Sequence, residues 1–181
     1  LVDGQDDIVG AIGWKTFYDG NFKEKTVCYT RLDSGRYSSE NVAAMFGAGS
    51  LWNKIYPTQI LKRNSTLRFI RHLRLGEDIE WMIQFLMLTK GVIVDQSYQG
   101  YYYRLRTHSL CHGRSILECA LCYWDDTVAL ACSPITKGNP YLLLEWLSRC
   151  TTSHIYPIKS LADMRVILKA VEREREQIWR A

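Results

Sequence analysis

Leu75-Gly76-Glu77-Asp78 sets two carboxylates directly ahead of a long apolar run. At a helix N-terminus the free N–H groups and the dipole favour an ionised carboxylate. An ionised carboxylate at a cleft can accept the proton of a sugar or alcohol hydroxyl. The same two acids would also serve as plain helix caps. Leu51-Trp52-Asn53-Lys54-Ile55-Tyr56 sets an amide and an ammonium inside an apolar segment. Such groups need partners when buried, or they face water on an edge strand. Tyr101-Tyr102-Tyr103-Arg104-Leu105-Arg106-Thr107-His108-Ser109 runs from aromatics into two guanidiniums, an imidazole and a hydroxyl. That set suits a diphosphate, through bidentate and charge-assisted hydrogen bonds, or a solvated loop. Cys119-x-x-Cys122, with Cys111 and His112 near it in sequence, lacks the second ligand pair of a structural zinc site.

The elements that must position these groups alternate through the middle of the chain. Ile8 to Trp14 reads as a buried strand ending near Phe17–Tyr18, and Thr26 to Thr30 as a second. Ser39 is a plausible cap for a helix over Asn41 to Phe46, and Pro57 opens a short helix over Thr58 to Arg63. The clearest helix follows Gly76 and runs to about Thr89. It is apolar on every side after its acidic first turn, so it is expected to be buried, with that turn pointing out of the core. Val92 to Val94 and Tyr101 to Arg104 read as strands.

From Ser115 the pattern is helical only: Ile116 to Ala131, Tyr141 to Cys150 and Ser160 to Trp179. In the last helix Leu161, Met164, Leu168, Val171 and Ile178 are expected to mark one face, with Ser160 and Asp163 forming a cap. Asp125-Asp126 and the Glu/Arg run at 172–176 read as solvated faces. The expectation is an α/β fold with a mixed sheet: residues 1–112 form an α/β region and 113–181 a helical region packed on it.

Composition bounds the rest. The chain has 181 residues, with 47% hydrophobic, 12% aromatic and 23% charged side chains, which excludes a disordered polypeptide. No apolar stretch approaches the roughly twenty residues of a membrane-spanning helix. The net charge of +4 is too small for a dedicated nucleic-acid binder, but it fits a patch that meets a phosphorylated small molecule or an anionic membrane surface. The six cysteines fall mostly in apolar helical contexts, where free thiols behave as small hydrophobes, so a reduced, cytoplasmic setting is expected. Glycine-rich phosphate loops, the Gly-x-Ser-x-Gly elbow and His-Glu-x-x-His do not occur.

Trp52-Asn53-Lys54-Ile55-Tyr56, then Leu75-Gly76-Glu77-Asp78, then Tyr101-Tyr102-Tyr103-Arg104 with Ser109 stand in an order and spacing that resemble the family 2 glycosyltransferases. The resemblance is to the GT-A-type bacterial enzymes that build capsule, O-antigen and other surface polysaccharides. It covers about residues 5–112, and Asp7 before Ile8-Val9-Gly10 resembles the segment that follows the family's metal motif. Ile55 stands where the family has Leu.

The resemblance implies an inverting transfer from a nucleotide-sugar to a saccharide or lipid-linked acceptor. It makes Asp78 the base and Glu77 its support. Trp52, Asn53 and Lys54 would wall the acceptor, and Arg104, Arg106 and Ser109 would lie at the donor diphosphate. Mg²⁺ or Mn²⁺ is implied, with His108, Asp3 and Asp6 as its candidate ligands. The first nucleotide-binding units of the family have no counterpart here, so the chain is expected to represent the acceptor-side portion and to turn over little alone. A place in the cytoplasm, at the inner face of the membrane in some cases, goes with this reading. The competing readings are a non-catalytic module that binds glycan or protein through the acceptor-side surface, and an interaction protein built on residues 115–181.

Overall fold

The structure, a computed structural model, describes residues 7–18, 21–28, 32–39, 41, 50–70, 73, 75–106, 114–137, 139–150, 155 and 157–180. Its elements are, in chain order, β1 (Ile8–Ile12), β2 (Trp14–Tyr18), β3 (Asn21–Cys28), β4 (Gly35–Ser38), β5 (Lys54–Ile55), α1 (Thr58–Arg63), α2 (Glu77–Met87), β6 (Gly91–Asp95), β7 (Tyr101–Leu105), α3 (Ile116–Cys132), α4 (Pro140–Cys150) and α5 (Leu161–Arg180). They fall into two compact units: residues 1–67 with 85–112, and residues 68–84 with 113–181. Helix α2 passes from the second unit into the first after Gln84.

The first unit holds both sheets. One has the order β4-β6-β1-β5 and the other β3-β2-β7. In the first, β1 runs parallel to β6 with Ile8 opposite Gly91. It runs antiparallel to β5 with Gly10 opposite Ile55. Ile8, Val9, Ala11, Val92 and Val94 are buried, as inner strands covered on both faces require. In the second sheet, β2 runs parallel to β7 with Trp14 opposite Tyr101, and antiparallel to β3.

The strand expected from Ile8 to Trp14 is therefore two strands in two sheets, broken at Gly13. Its partner makes the same passage from β6 to β7 through Gln96–Gly100. The second strand begins at Asn21, earlier than Thr26, and β4 was not anticipated. It packs against a glycine: Gly91 has φ +143°, and a Cβ there would run into the Tyr37 carbonyl oxygen and stand 3.0 Å from its carbon. The helix expected over Asn41 to Phe46 lies, beyond Asn41, outside the described residues. Helix α1 spans Thr58–Arg63 as expected, with Pro57 as its N-cap.

The second unit is helical. In α3 the Ser115 hydroxyl accepts from the Glu118 N–H at 3.2 Å, and the Glu118 carboxylate accepts from the Ser115 N–H at 2.8 Å, closing a capping box. Helices α4 and α5 both pack on α3. The Trp146 indole N–H donates to the Thr127 hydroxyl at 2.9 Å, and that of Trp124 to Glu174 at 2.8 Å.

The expected face of α5 holds in part. Met164 and Val171 are half-buried, but Leu161 and Leu168 are 73% and 53% exposed, Ile167 is buried among the described residues, and the Ile178 side chain lies outside them. Ile167 stands three residues from Met164 and four from Val171, so it shares their face, which the expected stripe left out. The Ser160 hydroxyl accepts from the Asp163 N–H at 3.3 Å, half of the expected cap. Among the described residues no helix is long and apolar enough to cross a membrane.

Candidate active site

Residues 50–56 fold into a short closed segment. The Tyr56 hydroxyl donates to the Leu51 carbonyl at 2.8 Å. The Lys54 ammonium donates to the Asn53 side-chain oxygen at 2.9 Å and to the Ser50 carbonyl. The Asn53 amide donates to the Ile12 carbonyl at 2.8 Å and is fully buried. The polar centre of this motif is thus held by partners inside the fold, as buried polar groups must be. Because Asn53 is fully buried, an acceptor would meet its amide only if this segment opened.

What the segment presents is Trp52. Its indole stacks on Tyr101 and Tyr103, with centroids 4.5 and 4.8 Å away and planes within 20°. The Trp14 ring meets it edge-on at 5.2 Å. Tyr101 and Tyr103 alternate along β7, so both rings leave the same face, and Trp14 lies opposite Tyr101 on β2. The result is a half-buried aromatic platform, of the kind whose faces stack against apolar ring surfaces. The sequence singled out Trp52 but not Trp14, whose place is set by the parallel pairing.

The opposite face of β7 carries Tyr102 and Arg104, both exposed, and the Lys15 ammonium stands 5.8 Å from the Tyr102 ring centre. Arg106, just beyond the strand, is exposed as well. The sheet therefore separates Arg104 from the Trp52 platform. Ser109, His108, Asp3 and Asp6 lie outside the described residues. Among the described residues, no group of three or more His, Cys, Asp or Glu could hold a metal ion.

The acidic turn belongs to the second unit. Glu77 and Asp78 are half-buried, and one Asp78 oxygen accepts from the Ile79 N–H at 2.9 Å. That is the single hydrogen bond of Asp78 among the described residues, and it leaves the second oxygen open to a proton donor. From Trp81 to Leu86 every residue of α2 is buried, as expected for a helix apolar on all sides.

Glu80 departs from the expectation that the whole acidic turn points out. It is 0% exposed, and one of its oxygens accepts from the Gln84 amide, whose own oxygen accepts from the Ser133 hydroxyl. Asp126 departs from its reading as part of a solvated face. It too is 0% exposed, and its carboxyl lies against Gly76. A signal for this existed: Asp126 stands four residues from both Cys122 and Leu130, in phase with that buried stripe of α3. Burial pushes the Glu80 carboxyl up to about 7, against the hydrogen bond from Gln84. Burial, with the Glu80 charge next, pushes Asp126 up to about 8.

Structures that share this architecture define a class. Over 98% of the chain it is similar to S. aureus TarS residues 1–349 in complex with UDP-GlcNAc, with a TM-score of 0.68 and 16% identity. It is also similar to the same TarS segment in complex with UDP, over 83% of the chain, with a TM-score of 0.55 and 18% identity. The chain spans about half of those structures, 51% and 40%. The fold is thus the mixed α/β fold expected from the sequence, GT-A-like, as in TarS. No protein-family profile and no curated protein sequence matches.

Proposed function

We propose that the chain is the acceptor-side portion of an inverting, nucleotide-sugar-dependent glycosyltransferase with Asp78 as its base. The observation that supports this most is the likeness of almost the whole chain to a structure that holds UDP-GlcNAc. Its position at the N-terminus of α2, with one oxygen free of partners among the described residues, suits Asp78 to the role. The hydroxyl oxygen of the acceptor attacks the anomeric carbon as the bond from that carbon to the diphosphate breaks. The hydroxyl proton passes to Asp78, and the nucleoside diphosphate leaves.

Glu77, beside Asp78, is proposed to support it. Trp52 on its tyrosines offers a flat apolar surface to a sugar ring of the acceptor. Arg104, Arg106 and Ser109 supply donors to the diphosphate. Carboxylates suit Mg²⁺ or Mn²⁺; the resemblance makes Asp3 and Asp6, with His108, the proposed ligands, and a bound ion would offset charge on the leaving diphosphate. An acceptor within a cell-surface polysaccharide, and a cytoplasmic place beside the membrane, belong to the same proposal.

The test is a titration of UDP-GlcNAc and UDP into the chain, and into the chain extended upstream, with and without Mn²⁺. Transfer to saccharide acceptors is then measured for the wild type and Asp78→Asn. Transfer reduced about 10²–10⁴-fold or more in the variant, with donor binding kept, supports the reading. Wild-type turnover by Asp78→Asn removes Asp78 from the role, and absence of any uridine-nucleotide binding removes the enzyme.

A further inference from the structure

Two acids buried in the second unit have no part in the chemistry above. Among the described residues, both Asp126 oxygens and one Glu80 oxygen are buried without a hydrogen-bond partner. The N-terminus of α2 offers N–H groups nearby, yet none reaches Asp126: the Glu80 N–H donates to the Gly76 carbonyl at 2.8 Å, and the Ile79 N–H to Asp78. Gly76 and Glu80 stand one helical turn apart and so share a face. Asp126 lies on that face, against the Gly76 Cα: a Cβ on Gly76 would run into one Asp126 oxygen and stand 3.0 Å from its carboxyl carbon. An ionised carboxylate in such a place lacks every partner it needs, whereas a carboxylic acid beside a second carboxyl supplies its own hydrogen bond.

We propose that Glu80 and Asp126 hold a shared proton at neutral pH and that this pair, one carboxylic acid beside one carboxylate, is the positioning element for the Gly76-Glu77-Asp78 turn. Its bearing on transfer rests on the base role proposed for Asp78; the proton itself does not. The charges acting most strongly on Asp126 are all negative: Glu80, Glu77 and Asp78 from α2, and Asp125 from α3 itself. On the helices packed against α3, Glu145 pairs with Arg149, and Glu174 with Trp124 and Arg173. Ionising Asp126 would add one more negative charge to this crowd and draw water towards it. The packing against Gly76 would then open and move the turn that bears Asp78.

The sign of the pH effect follows. In the unfolded chain these groups titrate near 4, and in the fold near 7 and 8. Between those limits the fold holds protons that the unfolded chain has lost, so stability falls as pH rises through the window and levels off above it. Each such proton raises the unfolding constant about tenfold per pH unit.

The experiment is equilibrium unfolding of the chain from pH 5 to 9 for the wild type, Asp126→Asn and Glu80→Gln, with infrared spectra of the folded wild type over the same range. The expected result is a carboxylic-acid carbonyl band that persists at pH 7, and a pH slope about tenfold per unit shallower in either variant below pH 7. Should one variant not fold, the other and the wild-type band decide. A missing acid band at pH 7, or an unchanged slope in the variants, overturns the proposal. So does stabilisation by Mg²⁺ or Mn²⁺ that Asp126→Asn abolishes, since a cation would then occupy the pair. None of these readouts uses a sugar donor, so absent transfer sinks only the enzyme reading. Where transfer is measured, its fall above about pH 8 should vanish in Asp126→Asn, and an unchanged fall removes the positioning role.

Discussion

Asn53 grips Ile12 from two sides. The Ile12 N–H donates to the Asn53 carbonyl at 3.0 Å, and the Asn53 side-chain amide donates back to the Ile12 carbonyl at 2.8 Å. Ile12 is the last residue of β1, one glycine before the chain enters the second sheet. One buried residue, through its backbone and its side chain, therefore fixes both the point where the chain leaves the first sheet and the loop that presents Trp52.

Removing that grip should be costly. Asn53→Ala leaves the Ile12 carbonyl without its side-chain donor and takes one acceptor from Lys54. A loss of about 2 kcal/mol is expected, the scale of a buried polar group stripped of its partner. Urea unfolding checks it, and a change under about 0.5 kcal/mol would mean the amide is dispensable.

Trp81 tests the burial of α2. Its ring stacks on Phe69 with centroids 5.2 Å apart, and the residue is buried. Trp81→Ala should lower stability by about 3–5 kcal/mol through lost apolar contact and the cavity left behind. An unchanged thermal melt would contradict the packing described for this helix.

Gly76 carries two constraints at once, a φ of +89° and the Asp126 carboxyl against its Cα. Gly76→Ala should cost about 2–4 kcal/mol from backbone strain and crowding together. Adding Asp126→Ala should recover part of that loss, because the two substitutions share one contact. Strictly additive losses in the double variant would show that the residues do not touch.

The acidic turn, the buried helix and the helical second half were legible because each rests on local pattern: a glycine, a first turn of acids, an apolar period. Helix α1 began where Pro57 indicated. What stayed hidden depends on partners far along the chain. Nothing between Ile8 and Tyr18 announces that Gly13 divides two sheets, because Ile8 to Trp14 reads as one apolar run. Trp14 and Tyr101 are neighbours only through parallel pairing. Asp126 reads as solvent-facing beside Asp125, until Gly76 is seen to leave room for its carboxyl. In α5 Met164 and Val171 were legible but Ile167 was not, because the consecutive Val166, Ile167 and Leu168 offer several equally apolar faces.

The parallel pairing has a cost in time. Ile8 and its partner Gly91 stand 83 positions apart, so neither sheet can be completed until most of that length has been gathered up. Closures of such span slow folding, and an early-synthesised strand whose mate has not yet emerged is an open template for a wrong neighbour. On the ribosome, β1 would wait unpaired on its β6 side while β2 and β3, which are adjacent, zip together first. The aromatic platform would then be among the last features of the fold to form.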